Sequence, residues 1–413
     1  MLSVIRENVR LAPYTTLRMG GIARYFADID QADQLREALQ FAEQRSLPVF
    51  VLGGGSNVLI ADNGFSGVVI HIVNKGITFH KPKKDAALVT VAAGEDWDKF
   101  VQQCVARDWA GIECLSGIPG LVGGTPIQNV GAYGQEVSAT IVTVRTFDRQ
   151  SNGVVEITNE DCQFSYRASV FNTTERDRYI VLSVTYQLKP HGEPALRYAD
   201  LQKHFATHKR SPTLQEVRNA VIAIRASKGM VIVPNDPNSQ SAGSFFKNPI
   251  VTVEKFAEVA TAARQQKLLN ANEQIPSFAV SAEQVKIPAA WLIEKAGFSK
   301  GYEQGRVGIS SKHTLALINR SNATAAELLA VVERIQSQVQ ERFGIALMPE
   351  PVWVGFKSQV LSQVLSQAKP TLPDLQPQKS DASELLLPPL KPERKPPKAA
   401  RVPLKAERKK WFA

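Results

Sequence analysis

Residues 117–134 read Gly-Ile-Pro-Gly-Leu-Val-Gly-Gly-Thr-Pro-Ile-Gln-Asn-Val-Gly-Ala-Tyr-Gly, with six glycines, two prolines and no charge. No helical or strand period runs through such a segment. Glycine tolerates positive φ and lets backbone approach another group closely. The stretch therefore predicts a loop whose main-chain N–H groups meet a ligand, a diphosphate being the natural partner. Thr125, Gln128, Asn129 and Tyr133 add hydrogen-bonding side chains to it. Taken alone it points to a bound nucleotide or flavin, with a tight structural crossover as the alternative.

A second glycine run strengthens the first reading. The apolar strand expected over residues 47–52 ends directly in Gly53, Gly54, Gly55, Ser56 and Asn57. Strand, glycine turn and small polar donors outline a phosphate cradle. The run lacks the Lys-Ser/Thr ending of a P-loop and does not fit G-x-G-x-x-G.

Helical spacing predicts amphipathic helices over residues 31–46, from Trp97 through Val105, over 213–228 and over 324–343. Trp97 falls on the apolar stripe of its helix and reads as core. Strands are expected at 68–72, 88–92, 141–149 and 180–188. Arg167 is flanked by Tyr166, Ala168, Val170 and Phe171, and two readings fit it equally: an edge residue that snorkels, or a buried cation. Ser244 precedes two phenylalanines, which places a hydroxyl against apolar surroundings; a helix or turn cap is the ordinary alternative.

Composition sets limits. The chain of 413 residues is long enough for two or three domains, and no run approaches the about 18 to 20 apolar residues of a membrane span. The N-terminus does not read as a signal peptide. Three scattered cysteines, Cys104, Cys114 and Cys162, suggest reduced thiols of a cytoplasmic protein, not a disulfide frame or a metal cluster. From Lys357 onward there are twelve basic and five acidic residues, +7 of the net +10, which leaves +3 for residues 1–356. A nucleic-acid-binding core is therefore not expected. The Pro/Lys-rich end reads as a disordered basic tail, either a solvated appendage or a contact to acidic lipid or RNA.

In combination and in order, these motifs resemble the UDP-N-acetylenolpyruvoylglucosamine reductase family of flavoenzymes, also called UDP-N-acetylmuramate dehydrogenases. The matching stretches are residues 15–21, 52–57, 117–134, 166–171, 242–249 and 349–350. The resemblance implies an α+β fold: a two-part FAD-binding module of the vanillyl-alcohol-oxidase-like (PCMH) type over residues 1–70 and 71–210, a substrate domain over 211–356, and a tail over 357–413. It implies FAD held by Gly53, Gly54, Gly55, Ser56 and Asn57 and by Gly117, Ile118, Pro119, Gly120, Gly123, Gly124, Thr125, Gln128, Asn129, Ala132, Tyr133 and Gly134. It also implies that NADPH and UDP-N-acetylenolpyruvoylglucosamine use one pocket in turn, in a monomer of the cytoplasm engaged in cell-wall precursor synthesis.

In this scheme hydride goes to the vinyl carbon remote from the carboxylate, and Arg167 supplies a cation for the charge that develops. Glu350 is a protonated acid against the same carboxylate. Ser244 gives a proton to the adjacent carbon. Tyr166, Lys228, Asn248 and His313 border the substrate, and Tyr198 resembles the tyrosine of a mobile loop found in one subclass. Asn172 stands where a lysine is frequent, so a peripheral charge contact is expected to be missing. A flavoprotein oxidase on the same cradle, or a wall-synthesis scaffold acting through its tail, is the rival reading.

Overall fold

The computed structural model describes residues 5–81, 85–270 and 272–357, so the expected tail, Lys357 apart, lies outside the described residues. Ala32–Gln44 is helical because Leu35, Ala38 and Ala42 form one apolar stripe. That stripe covers a four-stranded sheet ordered Ile5–Arg10, Ile22–Ile29, Phe65–Ile72, Val49–Leu52, antiparallel at the first pair and parallel at the other two. Val49–Leu52 ends the parallel edge, so the 53–57 run leaves at a strand's carboxyl end.

A second, antiparallel sheet runs Gly153–Thr158, Ile141–Asp148, Tyr179–Pro190, Ala87–Ala92, Ile77–Phe79. The helix Trp97–Ala106 starts at an Asp96 cap and buries Trp97, Phe100, Val101, Cys104 and Val105. The stripe is the expected one, and Trp97 is 1% exposed. Both sheets share one hydrophobic core, in which Ile29 and Leu35 join Phe100 and Val184.

The third unit packs the long helix Ala325–Phe343 beside two small three-stranded sheets around Phe245, Trp291, Leu292 and Val332. Leu17, Met19 and Leu59 of the first unit enter that core. The helix Leu214–Ser227 does not: Val217 and Val221 pack on Cys114, Leu201 and Phe205. Apart from Leu17, Met19 and Leu59, the core of the third unit takes its buried residues from Ala242 onward.

The ties that hold this unit onto the first include a helix cap and a strand pair. Asp62 accepts from the N–H groups of Ala325 and Ala326 at 2.8 and 3.0 Å, so it satisfies donors at the start of the long helix. Val352–Val354 pairs in parallel with Val58–Ile60.

Candidate active site

A cleft of about 1550 Å³ opens between the three units. Its floor is made by the two glycine loops, which lie against each other: a Cβ on Gly120 would come within 2.9 Å of the Ser56 hydroxyl. Gly55 has φ +62, and a Cβ there would collide with the Tyr14 carbonyl. Among the described residues, the N–H groups of Gly54, Gly55, Ser56 and Gly120 have no acceptor. Open N–H groups on adjacent tight turns form an anion-binding concavity. The buried Nε of Arg225, also on the cleft, has no partner either. These features fit the diphosphate of a flavin nucleotide.

Not every expected ligand residue faces this space. Asn129 is buried; its amide donates to Glu136 and the Ser165 carbonyl while its Oδ1 accepts from Ser138 N–H. The Gly117 N–H donates to Asp98 Oδ1 at 2.6 Å, and the Arg218 guanidinium grips both oxygens of the same Asp98. The Thr125 hydroxyl, although on the cleft wall, bonds Val122 O and the buried Tyr186 phenol. The side chains of Asn129 and Thr125 and the Gly117 N–H therefore brace the loop. Sequence could not separate them from the other expected donors, because loop residues alternate between facing inward and outward with no fixed period. Gly53, Gly54, Gly55, Ser56, Asn57, Ile118, Pro119, Gly120, Gly123, Gly124, Gln128, Ala132, Tyr133 and Gly134 do line the cleft.

The structure decides the open question about Arg167. Its side chain is 20% exposed and its Nε lies 3.2 Å from Glu350 Oε1, while Nη2 donates to Gly131 O at 2.9 Å. It is a cation held inside the cleft wall. Its backbone has φ +56, a conformation costly for a non-glycine residue. Asn172 supports it: the amide donates to Arg167 O, and Oδ1 accepts from Ser169 N–H. A residue expected only as a missing charge is therefore a local brace.

Glu350 is fixed by backbone pairing. Its N–H donates to Phe245 O at 2.8 Å, and Lys247 N–H donates to Met348 O at 2.9 Å. One residue beyond the next, Val352 N–H donates to Asn57 O. This places Ser244, in the bend just before Phe245, and Glu350 on adjoining segments at the cleft. Burial raises the Glu350 pKa above the usual carboxylate range, while Arg167 and then Lys247 pull it back without cancelling the rise. The Ser244 hydroxyl has no hydrogen-bond partner among the described residues, so it is not a cap.

At the other end of the cleft, the rings of Tyr133 and Tyr198 meet edge to face at 5.3 Å. Lys228 Nζ lies 5.7 Å from the Tyr133 ring and 2.6 Å from Asp200 Oδ2. Burial lowers the Lys228 pKa, but Asp200 and Tyr133 outweigh it and leave a net rise. His313 accepts from Leu315 N–H through Nδ1; burial, then Lys228 and Lys300, bring its pKa down to about 4. Asn248 holds Ala289 N–H and the Tyr166 phenol.

The cleft also holds cations that the sequence reading did not single out, among them Lys247, Lys286, whose Nζ lies 4.8 Å from the Tyr166 ring, and Arg225. Arg225 precedes Lys228 by three residues on one helix, a spacing that puts both on one face.

An FAD binding domain matches residues 23–158, and the C-terminal domain of UDP-N-acetylenolpyruvoylglucosamine reductase matches residues 236–354. The UDP-N-acetylenolpyruvoylglucosamine reductase of Thermobifida fusca is 43% identical over 357 residues, 86% of this chain and 99% of that protein. That of Streptomyces coelicolor is 46% identical over 349 residues, 84% and 89% of the two chains. The crystal structure of the Thermus caldophilus UDP-N-acetylenolpyruvylglucosamine reductase superposes with a TM-score of 0.56 at 24% identity, covering 85% of this chain and 99% of that one, a likeness of fold. With a flavin-binding module, a matching C-terminal domain and relatives alike over nearly their full length, the chain belongs to the UDP-N-acetylenolpyruvoylglucosamine reductase family.

Proposed function

We propose that this chain reduces UDP-N-acetylenolpyruvoylglucosamine to UDP-N-acetylmuramate with NADPH, in the cytoplasm, as a step of peptidoglycan precursor synthesis. The observation that carries the reading is the meeting of Arg167, Glu350 and Ser244, from distant parts of the chain, at one cleft floored by open N–H groups.

FAD, when bound, would supply the hydride-transfer chemistry that links NADPH to the vinyl carbon of the substrate. The N–H groups of Gly54, Gly55, Ser56 and Gly120, with Arg225, would hold its diphosphate. The chain's own groups then manage charge and proton. Hydride addition to an enolpyruvyl ether drives electron density into the carboxylate. Arg167 is already fixed by Gly131 and Asn172, so it meets that charge without reorganisation. Glu350, whose carboxyl is pushed toward the neutral form by burial, donates to the same carboxylate instead of repelling it. Ser244 offers an uncommitted hydroxyl proton to the neighbouring carbon, where a strongly basic centre makes a serine a competent acid. Tyr198, Lys228, Asn248 and the neutral His313 border the UDP-sugar end, and NADPH occupies the same space before substrate does.

The purified protein should be yellow. NADPH should bleach its flavin, and UDP-N-acetylenolpyruvoylglucosamine should restore the colour with formation of UDP-N-acetylmuramate by mass. Recovery of colour by oxygen alone, with no product from the enolpyruvyl sugar, would point to an oxidase and reject the proposal.

A further inference from the structure

Two residues expected to serve the cofactor, Asn57 and Gln128, are engaged elsewhere. Asn57 Nδ2 donates to Gln128 Oε1 at 2.6 Å and also lies 3.4 Å from the Glu350 main-chain carbonyl oxygen. Gln128 Nε2 donates to Glu350 Oε1 at 3.3 Å, the same oxygen that Arg167 Nε approaches at 3.2 Å. Nitrogen and oxygen of an amide are nearly alike in shape, so partners decide which way the group turns. Here one partner has a single role. A peptide carbonyl only accepts, so Asn57 must turn its NH2 toward Glu350 O. The same NH2 then donates to Gln128 Oε1, which turns the Gln128 NH2 onto the Glu350 carboxyl. A guanidinium cannot accept. Glu350 Oε1 therefore faces two donors, and a proton placed on it would face N–H groups from both sides.

We propose that Asn57 and Gln128 are positioning residues that assign the proton of neutral Glu350 to Oε2, the oxygen through which it donates to the substrate. This rests on the reading above, in which Glu350 works as an acid. The charged and titratable groups around the carboxyl are Arg167, Lys247 and the Tyr166 phenol. Arg167 and Lys247 only donate, and the Tyr166 phenol is engaged by Asn248.

The test measures the two half-reactions of the full-length flavoprotein by stopped flow, normalised to bound flavin. Gln128→Met keeps length and removes both hydrogen bonds. Gln128→Glu keeps shape and the bond from Asn57, but sets an oxygen opposite Glu350 Oε1 and draws the proton between the two carboxyls. Reoxidation by substrate should fall about tenfold in Gln128→Met and about a hundredfold in Gln128→Glu, with bleaching by NADPH within about twofold of the parent. The basic limb of reoxidation should move to higher pH in Gln128→Met, because a donor to the carboxylate is lost. A role in packing alone ranks the variants the other way, and that order overturns the proposal. Should Gln128→Glu fail to hold flavin, Asn57→Asp against Asn57→Ala makes the same comparison, with Asp expected to be the slower. Normal reoxidation in Glu350→Gln rejects the role of Glu350 itself. Impaired Glu350→Gln beside an unimpaired Gln128→Glu rejects only the assignment of the proton.

Discussion

A Cβ added to Gly54 would lie 2.6 Å from the Cα of Gly120, so the two glycine loops touch backbone to backbone. Neither loop can carry a side chain there without moving the other, and both present open N–H groups to the same space. Gly54→Ala should push the loops apart at an overpacking cost of about 1–3 kcal/mol. We expect flavin affinity to drop by about tenfold or more, read by fluorescence of released flavin on dilution. Unchanged retention would show that the contact does not shape the cofactor site.

Ser244→Ala removes a hydroxyl that bonds nothing else among the described residues, so it should leave stability near the parent value. Reoxidation of reduced flavin by the enolpyruvyl sugar should slow by about 10²–10⁴-fold. Bleaching by NADPH needs no proton from this residue and should be unaffected. A slowdown confined to bleaching would remove Ser244 from the proton step.

The pH profile of reoxidation follows from Glu350. Its pKa is raised by burial, with Arg167 and Lys247 only partly opposing. In the proposed mechanism the active form is the protonated one, present below the folded pKa and lost as pH rises through it, so the rate should show a basic limb displaced upward from that of an ordinary carboxyl. Glu350→Gln cannot lose that proton. Its rate should be lower, and the limb should vanish. A limb that persists unchanged in Glu350→Gln belongs to another group.

His313 makes the fold sensitive to acid. Its pKa falls from the ordinary histidine value of 6.5 to about 4 through burial first, then Lys228 and Lys300. Between these values the unfolded chain binds a proton that the folded chain refuses, so stability drops as pH falls from about 6.5 to 4. The difference amounts to about 3 kcal/mol. Denaturation midpoints of the parent should decline across this window, and those of His313→Gln should decline less. Parallel declines would show that His313 is not the responsible group.

Much of the architecture was legible along the chain. The stripes of Leu35, Ala38 and Ala42, or of Trp97, Phe100, Val101 and Cys104, are local: a 3.6-residue period needs only neighbours. The glycine runs were legible as loops for the same reason, since freedom of φ belongs to each residue. Facing was not. Asn129 and Gln128 are adjacent in the same loop, yet one braces the Ser165 turn and the other reaches Glu350. No period orders such residues, so only folded surroundings separate brace from ligand.

By itself the sequence determined the elements, the two glycine loops and the motif order that marks the family. It left Arg167 between an edge residue and a buried cation, and Ser244 between a cap and a free hydroxyl. Tertiary structure decided both. The strand Val352–Val354 pairs with Val58–Ile60, and the segment before it pairs with Phe245 and Lys247, so Glu350 is delivered to Arg167 while the Ser244 hydroxyl has no partner among the described residues. The physical reason is that charge and proton chemistry depend on distance and burial, and those are set by contacts between residues far apart in the chain.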